Sequence, residues 1–529
     1  MAYLRWLIST LPATAGLMAA PGCIIADPNH CSNSDEPCLA AQVCDPCTPS
    51  SQTPSANGCV ATADAVDLDP NQAGCQLGGA STDTPNTDGT MTTTNMSTET
   101  DVDVTTVDPD TTATTEADST STTSGGACDD CGGATPYCVE DSCVGCDALP
   151  GAGCSDIDPG TPACNPDTGN CQLCTVEESS ACEGETPACV DNTCVACTEH
   201  AQCPDSACNL AVGSCMPDDQ VLYVDNSYAM CDMGVGSVDD PMCEITDAIT
   251  ALGDIGTVRV FPGNPYDPAV NILNDEVFAV IGWEGEPVIG TGGGGVPEIV
   301  RVLGGTLYLS GVHLSGVGGT SAALRCTNSG VWIDDSRITG NVAASGVGID
   351  ASGCNPLQIR RSQIMSNEGG GILAATCQTQ IVNSFVGNNG VAGFSAVPGI
   401  SFTNGAFEVL YSSVGFNGST GADGILCTDV AASTIRNSAL ISASGTTIGC
   451  PPEDVTVTYS GTDDAAFLAG EGNVEITVPI FQSPANLHTT AGSPLEGVAL
   501  RQAGDPAMDI DGDDRPAARA MDYAGADVP

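Results

Sequence analysis

Leu307-Tyr-Leu-Ser-Gly-Val-His-Leu314 is followed by Val331-Trp-Ile-Asp-Asp-Ser-Arg-Ile338, Leu357-Gln-Ile-Arg-Arg-Ser-Gln-Ile364 and Thr379-Gln-Ile-Val-Asn-Ser-Phe-Val386. Later copies run from Glu408 to Gly415 and from Ser433 to Leu440, so from about residue 300 one pattern returns every 22 to 29 residues. The first and third positions alternate with polar ones, as a strand with one buried face requires. Leu309, Ile333, Ile359, Ile381, Leu410 and Ile435 fall in one column. One rung cannot bury such a face by itself, but stacked neighbours can, which predicts a solenoid of parallel strands with an internal apolar ladder. An antiparallel sandwich would not demand a fixed period.

The turns repeat with the strands. Asn341, Asn367 and Asn389 each lie five residues after Ser336, Ser362 and Ser384. Asparagine tolerates left-handed turn geometry, and its amide can bond to the rung above. Gly346, Gly348, Gly369, Gly370 and Gly371 mark other corners. Asp334-Asp335 stands 26 residues before Arg360-Arg361, so the repeat predicts a surface ion-pair ladder in place of a catalytic carboxylate pair.

These features resemble the pectin-lyase-like family of right-handed parallel β-helices, over about residues 218–529. Leu222-Tyr-Val-Asp225, the Ile245–Ile249 stretch and Gly256-Thr-Val-Arg-Val-Phe-Pro-Gly263 are similar to that family's opening strand and capping helix. Ser493-Pro-Leu495, Gly504-Asp505 and Asp509-Ile-Asp-Gly-Asp-Asp-Arg-Pro516 resemble its closing segment. The resemblance implies an all-β fold and leaves activity open, because lyases, hydrolases, adhesins and tailspikes share it. Pectate lyases of the family use clustered carboxylates for calcium and an arginine base. Polygalacturonases use spaced aspartates with Gly-His-Gly and Arg-Ile-Lys. This sequence has no lysine and no Gly-His-Gly, and His30, His200, His313 and His488 are scattered.

The charge is lopsided, with 67 acidic residues against 11 arginines, and only Arg5 precedes Arg259. Such a field repels phosphate backbones and anionic lipid, which excludes nucleic acid as a partner. Thirty cysteines point to an oxidising compartment. A charged start and an apolar stretch from Trp6 to Ala20 read as a signal peptide over 1–22, ending at Ala20-Pro-Gly-Cys23. This resembles a bacterial lipobox and predicts acylation of Cys23 and outer-membrane surface anchoring. Secretion after ordinary cleavage is the alternative.

Four regions follow. Residues 23–75 form a cysteine-rich segment, and 76–127 a Thr/Ser/Asp-rich linker without the apolar residues of a core. Residues 128–217 hold 16 cysteines in repeats closed by paired cysteines: Cys138, Cys143, Cys146; Cys164, Cys171, Cys174; Cys189, Cys194, Cys197; and an incomplete Cys203, Cys208, Cys215. In an exported chain this favours disulfides over zinc. The repeats resemble those that precede β-helices in some bacterial surface proteins. Residues 218–529 are the β-helix.

Cysteine parity predicts pairs Cys231–Cys243, Cys354–Cys377 and Cys427–Cys450, with Cys326 left as a lone buried thiol. Tyr308 and Trp332 share an outward column on adjacent rungs and predict either a stacked platform for sugar faces or a pair covered by a loop. Asp509, Asp511 and Asp513 alternate like a Ca2+ loop, but Gly512 is fourth where an EF-type loop wants glycine sixth, so a C-terminal turn is the competing reading. No catalytic residue is assigned. The sequence thus predicts a non-enzymatic surface recognition protein binding polysaccharide or a neighbouring surface component, against a diverged polysaccharide lyase or glycoside hydrolase, or a structural envelope protein.

Overall fold

The computed structural model describes strands 42–44 and 59–61 and residues 131–529, apart from 132–136, 140–141, 149–153, 158–159, 176–177, 180, 268–269, 291–297, 317–321, 343–345, 392–394 and 443–444. The chain divides into two compact units, Met1–Asp118 and Ser119–Pro529. In the first, Gln42–Cys44 pairs antiparallel with Cys59–Ala61. The signal stretch, Cys23, the rest of 23–75 and the linker lie outside the described residues.

The second unit opens with four short antiparallel hairpins, in which Cys138 faces Cys143, Cys164 faces Cys171, Cys189 faces Cys194 and Cys208 faces Cys215. Their disulfides obey one rule. Within a module the first cysteine joins the third: Cys131–Cys143, Cys154–Cys171, Cys182–Cys194 and Cys203–Cys215. Between modules the fourth joins the second of the next: Cys146–Cys164, Cys174–Cys189 and Cys197–Cys208. Each closely spaced pair therefore serves two different bridges, and the described cysteines of the repeats leave zinc no free thiolate. Modules of this size cannot bury enough apolar surface to fold alone, and covalent bridges replace the missing core. Disulfides at this density are the mark of an exported protein.

Behind the modules stands an all-β parallel solenoid of three sheets with ten, eight and nine strands, every neighbour one rung apart in sequence. The ten-stranded sheet runs from Val221–Val224 to Val455–Thr458. Its inward column is Leu309, Ile333, Ile359, Ile381, Val409, Ile435 and Val457. All seven are buried, and full burial of such a side chain contributes about 1.5–3 kcal/mol. Val409 stands where the column was expected to hold Leu410: the fifth copy slips by one residue. A one-residue slip exchanges faces, and Leu410 points outward, buried under the C-terminal segment instead. Helix Ile245–Leu252 puts Ile245, Ala248 and Ile249 onto the first rungs and closes that end of the core.

Two polar ladders run inside the corners. The Ser336 amide donates to Ser362 Oγ at 3.1 Å, and the relay continues through Ser384, Ser412, Ser438 and Ser460. Asn341 Nδ2 donates to Asn367 Oδ1 at 2.7 Å, Asn367 to Asn389 Oδ1 at 2.9 Å, and Asn389 to Asn417 Oδ1 at 3.1 Å. The left-handed backbone expected at these asparagines belongs to the residue before each: Gly340, Ser366, Asn388 and Phe416. That residue turns the chain so that the next side chain aims inward, where the rung above satisfies it.

The structure corrects one disulfide. Cys231 bridges Cys243, and Cys427 bridges Cys450. Cys354, however, bridges Cys326, and Cys377 keeps its thiol. Cys377 does sit on the rung next to Cys354, its Sγ 3.1 Å from the Cys354 amide nitrogen. Cys354 lies between two cysteines and can bridge only one.

From Phe481 the chain leaves the solenoid and folds back. Hairpins Phe481–Ser483/Asn486–Thr489 and Ala499–Leu500/Met521–Asp522 pack on outer faces of the later rungs, burying Ile480, Phe481, Leu487, Leu495 and Ala499 against Phe385, Leu410 and Tyr411. Among the described residues no helix is long and apolar enough to cross a membrane.

Candidate functional site

The outward face of the ten-stranded sheet carries two columns. One is Ala279, Tyr308, Trp332, Gln358, Gln380, Glu408 and Thr434; the other is Ile281, Ser310, Asp334, Arg360, Val382, Leu410 and Arg436. The chain itself covers both ends of this face.

At the early rungs the last cysteine module lies on it. Tyr308 and Trp332 meet at a tilt of 46° with centroids 4.9 Å apart, but they are 0% and 6% exposed, buried with Ala207 and Met216. The Tyr308 hydroxyl donates to Asn209 Oδ1 at 2.5 Å and accepts from the Ala211 amide at 3.3 Å. Burial pushes its pKa up to about 12. An open sugar platform needs ring faces in solvent, and these rings are instead the docking surface of the module. Arg259 pins the same contact, donating to the Ser206 carbonyl at 3.1 Å and lying 4.1 Å over the Trp283 ring.

The acid–base ladder belongs to this junction too. Arg360 grips both Asp334 oxygens at 2.6 Å, and Arg361 grips Asp335 at 2.7 and 2.9 Å. Glu199, from the module, closes the network at 2.9 Å from Arg361. Asp334 is 2% exposed. The module has therefore sealed the Asp334–Arg360 pair, while Asp335 stays half exposed and its pair with Arg361 remains at the surface. The His200 ring lies beside the network with both nitrogens buried and unpartnered, and burial pulls its pKa down.

At the late rungs the C-terminal segment lies on the face, tied by Arg436 to Asp505 at 2.5 and 2.9 Å and by Arg515, which donates to Asn383 Oδ1 at 3.2 Å. The alternating aspartates are part of this cover. Asp509 is 0% exposed, and its carboxylate accepts the amides of Asp511, Asp513 and Val528, each at 2.9 Å. It caps a turn, so the three carboxylates do not converge on one point. Asp511 turns to His488 Nε2 at 2.9 Å, and burial raises nearby Asp527 to about 6.

Between the two covers a shallow groove of about 440 Å³ remains, lined by Asn355, Gln358, Gln378, Gln380 and Glu408 with Pro356 and Ala406. Gln380 Nε2 donates to Glu408 Oε2 at 2.7 Å, a bond that does not use the amide oxygen, which is an acceptor. Neither column position was singled out in the sequence. The signal was there in the repeat register, since Gln358, Gln380 and Glu408 continue the Tyr308–Trp332 column.

A family of unknown function (DUF8331) matches residues 110–221, the cysteine-rich repeats and their approach. No curated protein matches the chain. Among solved structures, pectate lyase Pel9A is similar at 15% identity and TM-score 0.27, over 58% of this chain and 95% of its own. The deglycosylated pectin methylesterase from Aspergillus niger is similar at 12% identity and TM-score 0.24, over 50% and 93%. The chain carries a three-sheet parallel β-helix behind cysteine-rich repeats.

Proposed function

We propose that this exported chain is a non-enzymatic surface protein that recognises a neutral, hydroxyl-rich glycan along the amide-lined groove. The observation that carries the reading is the Gln358–Gln380–Glu408 column, left open between two covers built from the chain itself. Side-chain amides and a carboxylate, one rung apart, offer donors and acceptors suited to hydroxyl groups. One carboxylate lines the groove, whereas glycoside hydrolysis uses two about 5–9.5 Å apart. The net charge of −56 opposes polyuronates and favours uncharged polymers. Acylation of Cys23 would hold the protein at the envelope, with the linker and disulfide modules lifting the groove outward. Cys23→Ser then releases the protein to the medium, and unchanged membrane association of that variant defeats the anchor.

The test is retention of the full chain on immobilised neutral and acidic polysaccharides, with simultaneous assay of new reducing ends and unsaturated products. The reading expects retention on a neutral polymer, at least fivefold weaker in Gln380→Ala and Glu408→Ala, without products. Cleavage products establish the polysaccharide-processing alternative. Retention equal in both variants removes the groove from consideration.

A further inference from the structure

His488, Asp511 and Asp527 are 23 and 16 residues apart in sequence, yet one imidazole nitrogen and one oxygen from each carboxylate lie within 4.8 Å of one another. Three separate pieces of backbone supply them: the last strand of the Asn486–Thr489 hairpin, the tip of the aspartate turn, and the stretch after Gly525.

The imidazole is set for coordination by groups outside the cluster. Asn486 Nδ2 donates to Gln482 Oε1 at 3.0 Å, so the Asn486 oxygen faces the other way and accepts from the His488 amide at 3.0 Å and from His488 Nδ1. Nδ1 therefore carries the proton, and Nε2 presents toward the carboxylates. At metal sites the ligating histidine usually donates from its other nitrogen to a fixed oxygen in this way. Phe385 holds the ring edge-on at 5.0 Å.

Asp527 is the independent sign. It is 4% exposed and has no arginine partner, whereas Arg436 and Arg515 each pair with a buried aspartate nearby. One of its oxygens accepts the Thr489 amide at 2.6 Å, and its only other close charged neighbours are acidic or His488. A buried carboxylate without a cation is costly.

We infer that His488, Asp511 and Asp527 form a divalent transition-metal site, suited to Zn2+ or Mn2+, that pins the C-terminal cover to the solenoid. One nitrogen and two carboxylates suit these ions better than the all-oxygen preference of Ca2+. Ligand atoms on one ion at about 2.0–2.1 Å lie roughly 3 Å apart. His488 Nε2 and Asp511 Oδ2 already stand at 2.9 Å. Asp511 is exposed, so solvent completes the shell. The site differs from the Asp509, Asp511, Asp513 reading, because Asp509 is consumed by amides and Asp513 does not join.

The test uses full-length protein stripped with chelator. Co2+ is the spectroscopic probe and Zn2+ the competitor. One equivalent of Co2+ should give a saturable visible absorption, abolished by one equivalent of Zn2+, and Zn2+ should raise the melting midpoint. Asp511→Asn should weaken binding at least tenfold. Its side chain is half exposed and its removal leaves the turn's amide bonds intact, so folding is not at stake. His488→Ala and Asp527→Asn should do the same, while Asp513→Asn binds normally. Weak, unsaturable uptake equal in all variants overturns the proposal and reports only the acidic surface. So does stoichiometric binding that survives in Asp511→Asn.

Discussion

Asn389→Ala tests whether the internal amide ladder holds the rungs together. The Asn389 side chain is fully buried and makes four hydrogen bonds. Its oxygen accepts from the Asn367 amide at 3.1 Å and from Asn367 Nδ2 at 2.9 Å, and its nitrogen donates to the Ile364 carbonyl at 2.7 Å and to Asn417 Oδ1 at 3.1 Å. Alanine leaves donors and acceptors facing a dry corner. At about 1 kcal/mol net for each buried bond, the loss comes to about 4 kcal/mol, a large part of a typical domain's stability. The neighbouring Asn388 is the control. It sits at φ 53° and bonds Ser366 Oγ in an exposed position, and Asn388→Gly keeps the turn at a cost below about 1 kcal/mol. Guanidinium denaturation of the unreduced chain, followed by circular dichroism, gives both values. Amide hydrogen exchange shows whether the damage is confined to neighbouring rungs, as nearest-neighbour coupling in a solenoid requires. A loss below about 1 kcal/mol for Asn389→Ala, or equal to the control, refutes the claim that these amides bind rung to rung.

Gly399→Ala should destabilise by about 1–3 kcal/mol by pressing a Cβ to 2.5 Å from Asn417 Nδ2, while leaving turn geometry untouched; an unchanged midpoint contradicts the tight approach. Alkylation after denaturation without reductant should label Cys377 and neither Cys326 nor Cys354, and peptide mapping decides it. In the folded protein burial raises the Cys377 thiol pKa, so labelling there should be slow. His200, with its pKa lowered by burial, takes up a proton less readily in the folded state than in the unfolded chain. Its contribution to stability is therefore present above the unfolded pKa of about 6.5 and is lost as pH falls below it. Below that pH the last cysteine module should become more protease-sensitive, and His200→Phe should flatten the dependence; an identical profile in the variant excludes this histidine.

The solenoid was legible because its core face has one period. It failed at Phe407–Tyr411, where Leu410 and Tyr411 are apolar too: the outer face there is also buried, so alternation carries no information. The same cause hid the fate of Tyr308 and Trp332. Their adjacency follows from the repeat, but the module that covers them comes about 100 residues earlier, and nothing local marks the contact. Cys326 could not be chosen over Cys377 by parity, since Cys354 lies between both. The groove's amides continued a readable column. His488, Asp511 and Asp527 meet only because two hairpins fold back, a long-range event without period.

The disulfide rule of the modules also decides how the chain behaves under load. From Cys131 to Cys208 the sequence holds 77 residues, but the shortest covalent route crosses four bridges and only about 21 residues. A pull along that span is stopped at roughly 100 Å, where an unbridged chain would pay out about 260 Å. Tension along the chain would therefore pass through the modules by covalent bonds while every hairpin was free to open. The modules work as a strap of fixed length, and a reducing agent would turn that strap into slack.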